Sequence, residues 1–226
     1  MVLCAMSGTV NADETNGLKP RALRDAFFKV VFGLEYGRLF GESQRVKKYT
    51  EPVRYKVINA AAEDRSSEVN AFLASLPGKI DGLKTLPARD RDQANFLVFL
   101  VDRDKFADVV SKELHTDAIA MGARCLVGVN TRRGRILHST AVIVADDPYL
   151  FKRCTVEEIL QGLGPMNDND SLTESVFNDA SRHTTFTPFD QALMRMLYHP
   201  SIRPGMTGSQ VNDVLPQVLA DLGYFR

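Results

Sequence analysis

Asn95-Phe96-Leu97-Val98-Phe99-Leu100-Val101 is a continuous apolar run, closed by Asp102-Arg103-Asp104. A short run rich in aromatic and branched residues reads as a buried strand. A buried strand needs partners, and three other segments supply them. Val53-Arg54-Tyr55-Lys56-Val57-Ile58 alternates apolar and charged residues, as a half-buried strand does. Arg124 to Asn130 and Ile136 to Ala145 flank the polar Thr131-Arg132-Arg133-Gly134-Arg135, and the pair reads as a β-hairpin. Asp146-Asp147-Pro148 ends it.

Helical spacing accounts for most of the remainder. Apolar residues from Leu23 onward predict a helix over about 21–35, and Val69, Phe72, Leu73 and Leu76 predict another over about 66–76. Phe106 to Leu114 is a short helix. Cys154 to Asp168 (CTVEEILQGLGPMND) reads as a helix over about 155–163, a glycine stop and a polar turn. Thr187-Pro188-Phe189-Asp190 has the N-cap, N1 and N3 residues of a helix start, and that helix runs to Tyr198. Thr207 caps a last helix that carries Val211, Leu215, Val218 and Leu222. Strands cluster early and helices late, which predicts an α+β fold with one mixed, twisted sheet and helices against it.

The chain has 28 Lys and Arg and 28 Asp and Glu, a formal charge of zero that argues against a dedicated nucleic-acid binder. No apolar run reaches the length of a transmembrane helix. The first residues pass from apolar Val2-Leu3-Cys4-Ala5-Met6 to small Ser7 through Ala12. Val10 and Ala12 suit a signal-peptidase site with Asp13 as the first mature residue, although the basic start of a signal is missing. Residues 1–20 are therefore expected to be a clipped signal peptide and linker. Residues 21–226 form a single domain, with about 200–226 as a C-terminal helical extension. Removal of the leader takes Cys4 with it and leaves Cys125 and Cys154. In an exported chain these two suit a disulfide; otherwise they are two buried thiols.

In the H-E-x-x-H motif, two His on one helix face hold zinc and the intervening Glu activates the bound water. A glycine then reverses the chain, and a third His completes the extended form. Here Glu157 falls at the first ligand position and Glu158 at the base. Gln161 is at the second ligand position, Gly164 at the turn and Asn167 at the third ligand. Ser175-Val176-Phe177-Asn178 resembles the methionine turn of metzincins, with Phe177 in place of Met. Phe186 to Tyr198 resembles the closing helix of matrixin-type proteases. The chain thus resembles a zincin-like domain with a degenerate motif. It also resembles a proteobacterial family of unknown function, often described as exported proteins or lipoproteins, through Cys154, Glu157-Glu158, Gln161 to Gly164, Asn167-Asp168 and Tyr198 to Met206.

That resemblance implies an exported pseudo-metalloprotease, periplasmic or extracellular, with no bound zinc. Its vestigial cleft would comprise Glu157, Gln161, Asn167, Asp168 and Phe177, with Glu158 as the candidate catalytic group. Neutral amides are poor zinc ligands, so zinc proteolysis is expected to be lost. The expected role is non-proteolytic: binding of a protein, peptide or glycan in an exported or envelope-associated module. The alternative is a hydrolase that uses calcium or another hard cation on oxygen ligands, or no metal. Glu157 and Glu158 point about 100° apart on a helix, which disfavours joint action on one bond. Glu158 also suits a first helical turn through the macrodipole. His115, His138, His183 and His199 form no His-x-x-x-His pair, and Arg132, Arg133 and Arg135 make a basic hairpin tip.

Overall fold

A computed structural model describes residues 18–32, 45–117, 122–180 and 182–224. The expected leader and Cys4 lie outside the described residues. Five strands form one mixed sheet: β1 (Val53–Asn59), β2 (Thr85–Pro87), β3 (Phe96–Val101), β4 (Leu126–Arg132) and β5 (Arg135–Val144), in the order β2-β1-β3-β5-β4. β1 runs parallel to β2 and β3, β3 runs parallel to β5, and β4 alone is antiparallel to its neighbour. The helices are α1 (Pro20–Val31), α2 (Ser66–Ser75), α3 (Phe106–Leu114), α4 (Pro148–Gln161), α5 (Pro188–Tyr198) and α6 (Gly208–Asp221). The architecture is α+β, as expected.

β3 explains why its sequence has no polar face. Phe96, Val98 and Leu100 enter the main core with residues of α1, α2, α4, α5 and α6. Leu97, Phe99 and Val101 face the other way, into a smaller core closed by Phe106 and Val110 of α3. A strand covered on both faces can afford no alternation. α6 buries Val211, Leu215, Val218 and Leu219 in the main core. Its cap is a full capping box of Thr207 and Gln210, and Thr187 caps α5 by accepting from Asp190 N.

Three expectations need correction. α4 starts at Pro148, not near 155. Asp147 accepts from Tyr149 N and Leu150 N, and Pro148 sits at the first helical positions, so Asp-Pro both ends β5 and starts a helix. β2 was not expected; it is three residues long, holds Pro87, and forms an edge where alternation has no room to appear. The β4–β5 connection is tighter than the five-residue turn expected. Strand pairing reaches Arg132 and Arg135, and Arg133 and Gly134 turn the chain with φ of 53° and 79°.

Residues 45–48 tie the turn to the C-terminal region. Lys48 N donates to Gly134 O, and Ile136 N donates to Lys48 O. Lys48 Nζ donates to Leu197 O at 2.9 Å and Ile202 O at 2.7 Å, and so closes the C-terminal end of α5. Burial pulls the Lys48 ammonium down to about 8. Between about 8 and 10.5 the unfolded chain therefore holds a proton that the folded chain has lost. Lys48 should therefore add stability as pH rises from about 8, while the Tyr49 and Tyr198 hydroxyls, raised by burial from their ordinary 10.0, work against it at the top of the window. Urea unfolding at stepped pH should show the rise in the native protein and its absence in Lys48→Met. A Cβ at Gly134 would overlap Gly205 N and Val46 O. Gly134→Ala should cost about 2–4 kcal/mol from overpacking and left-handed strain. Gly223→Ala, also left-handed but open around its Cβ, should cost only about 1 kcal/mol in the same assay.

Candidate functional site

α4 carries the site and is encased. Every residue from Arg153 to Pro165 is buried. Its far end is held by side chains from other elements. Ser139 Oγ donates to Gly162 O at 2.7 Å, and Tyr198 Oη donates to Leu163 O at 2.9 Å. Gly162 packs where a Cβ would overlap the Phe96 ring, and Gly164, at φ 143°, packs where one would overlap Lys47 O. Because α4 begins at Pro148, Glu157 and Glu158 lie near its C-terminus and not in its first turn. There the macrodipole opposes a carboxylate. The helix-start explanation of Glu158 therefore fails, and the negative charge needs compensation from elsewhere.

Arg153 supplies it. Its Nη2 lies 2.9 Å from Glu157 Oε1, one helical turn on, and reaches Asn178 O at 3.3 Å and Asp179 Oδ1 at 3.4 Å. Carboxylate oxygens of Glu157, Asp168 and Asp179 lie within 4.8 Å of one another. Gln161 joins this group by donating from Nε2 to Asp168 Oδ2 at 2.9 Å. Asn167 does not: its Nδ2 donates to Lys29 O of α1 at 2.7 Å. The neighbouring Met166 N donates to Val30 O, which fixes the turn against α1. Asn167 is thus turned towards α1, and Asp168 is the residue that lies beside Gln161.

The chemistry open to this group is limited. Glu157 and Glu158 are each 4% exposed and Gln161 1%. A general base must come within hydrogen-bond reach of its substrate, and Glu158 has no such access in this state. Oxygens of Glu157 and Glu158 do approach within 4.8 Å, despite their helical angle, because both side chains are long. Cys125 Sγ is equally near, but it is consumed by a disulfide to Cys154 and is no ligand. The oxygen set of Glu157, Asp168 and Asp179 suits a hard cation by donor type. The Arg153 guanidinium already places a positive charge among those oxygens.

The Cys125–Cys154 disulfide joins the start of β4 to the middle of α4, with Cα atoms 5.9 Å apart. Phe177 is fully buried in the main core. The turn around it rests on Asp190, which accepts from Ser175 Oγ at 2.6 Å, Thr187 Oγ1 at 2.7 Å and Val176 N at 3.2 Å. Burial raises the Asp190 carboxyl above its ordinary range, while these donors pull the other way. His183 is half-buried, with Nε2 3.0 Å from Thr173 O. Sequence reasoning missed Arg153 and Asp179. For Arg153 a signal existed: Arg and Glu four apart on one helix form a pair. Asp179 follows Asn178 in an irregular segment and carried none.

The family model described as "Protein of unknown function (DUF2927)" matches residues 20–217, which is the sheet, α4 and all but the end of α6. The chain belongs to this family. No curated protein and no solved structure matches it. The DUF2927 match therefore includes Arg153, Glu157 and the disulfide within one unit.

Removing one partner of a buried ion pair leaves the other charge uncompensated, at a cost of about 3–5 kcal/mol. Arg153→Met should lose stability of that order in urea unfolding. The double variant Arg153→Met with Glu157→Leu should recover much of the loss.

Proposed function

We propose that this DUF2927 member is a non-proteolytic relative of metzincin-type zinc proteases. It would act as an exported binding or envelope-associated module for a protein, peptide or glycan. The observation that carries the reading is the fate of the three ligand positions. Glu157 is paired with Arg153, Gln161 donates to Asp168, and Asn167 donates to the backbone of α1. An arginine thus stands as the resident cation of a frame that in zinc proteases holds metal. The order of elements from α1 to α5 and the buried turn at Phe177 support the zincin-like assignment. The disulfide supports export, because such bonds persist in oxidising compartments.

A second reading has one observation in its favour: the close oxygens of Glu157, Asp168 and Asp179. They would serve a hydrolase with a hard cation if Arg153 moved aside. Elemental analysis of purified protein, melting curves with calcium or manganese, and a peptide-cleavage assay separate the two. The pseudoprotease reading expects no stoichiometric metal, no thermal shift and no cleavage. Zinc bound one to one, with cleavage abolished in Glu158→Gln, would overturn it.

A further inference from the structure

Three segments far apart in sequence meet at one end of the sheet: residues 45–48, the β4–β5 turn at 132–135, and residues 203–207. Val46 N donates to Met206 O, Gly205 N donates to Val46 O, and Lys48 N donates to Gly134 O. Arg45 and Thr207 form an isolated bridge, as do Lys48 and Arg135. None of the three segments contains Asp or Glu. Lys47 and Lys48 are buried, while Arg45, Arg132, Arg133, Arg135 and Arg203 are exposed. Among the described residues, none of these five guanidinium groups pairs with a carboxylate. Arg45 Nη1 donates to Gly205 O at 3.0 Å. Every exposed cation of the patch is an arginine. Beside them Leu137 is 51% exposed, two residues from Arg135 on β5.

We propose that this arginine-lined end of the sheet docks the protein on an anionic phospholipid surface. The proposal deepens, and rests on, the envelope-associated reading above. The argument for the occupant is charge complementarity. The chain as a whole is neutral, so a local excess of arginines that pair with no carboxylate among the described residues orients it instead of attracting it indiscriminately. Arginine presents a planar fork that matches phosphate oxygens in pairs, which lysine does not. Leu137 adds an apolar side chain at the level where a bilayer interface accepts one. The turn is held by Gly134 against Gly205 and Val46, so little ordering is lost on docking.

The test is co-sedimentation of the full chain with vesicles of phosphatidylcholine alone or mixed with phosphatidylglycerol. Binding is expected to the mixed vesicles only, and to fall as salt is raised. Arg132→Gln, Arg135→Gln and Arg203→Gln should each weaken it by about fivefold, since one basic residue near such a surface contributes about that factor. Leu137→Ser should weaken it without altering unfolding. Circular dichroism confirms that each variant is folded. Equal binding to neutral vesicles, indifference to the arginine variants, or no binding to mixed vesicles overturns the proposal. Retention on a sulfated polysaccharide without vesicle binding also overturns it and points to a glycan. Zinc-dependent cleavage would sink the pseudoprotease reading and leave the vesicle result standing.

Discussion

A helix that has water on no side must find partners for its polar groups within the protein, because an unpaired buried charge is costly. From Arg153 onward α4 is in that position. Its carboxylates come late in the helix, against the dipole, and Arg153 compensates Glu157 from one turn earlier. Beyond the last turn, Ser139 and Tyr198 reach in from β5 and α5 to satisfy carbonyls that the helix leaves open. Tyr49 continues the set, with its hydroxyl donating to Asn95 O at 2.7 Å and lying 3.0 Å from Ser139 Oγ. Glycines at 162 and 164 let Phe96 and the backbone of Lys47 come close. Strand, helix and N-terminal segment are shaped around one buried element.

Much of this architecture is legible in the sequence, for reasons that differ from element to element. The Phe96–Val101 run has no polar face because it has no wet face. Thr187-Pro188 and Thr207 announced their helices because caps are local chemistry, settled within four residues. β2 was illegible because its strand character comes from β1 beside it and not from its own side chains. The start of α4 was hidden for another reason. Asp147-Pro148 is a breaker for the strand before it and an initiator for the helix after it, and the sequence pattern shows only the first role plainly.

At the site, residue types were legible and directions were not. Glu157 and Gln161 do lie together, joined through Asp168. Asn167 fits the ligand spacing equally well, yet α1 captures it through a backbone carbonyl. That contact joins residues 138 positions apart, and no local pattern could reveal it. The disulfide was legible as one of two outcomes, and geometry decided between them.

Cys125 and Cys154 close a ring that contains the whole β4–β5 hairpin, since 29 positions separate them. In chain-entropy terms such a closure is worth about 3.5 kcal/mol. Its mechanical meaning is of a different kind. Load applied at Arg133 would pass down two strands bonded to each other and enter α4 through sulfur, with no slack loop between. The arginine turn and the encased carboxylates are the two ends of one stiff lever.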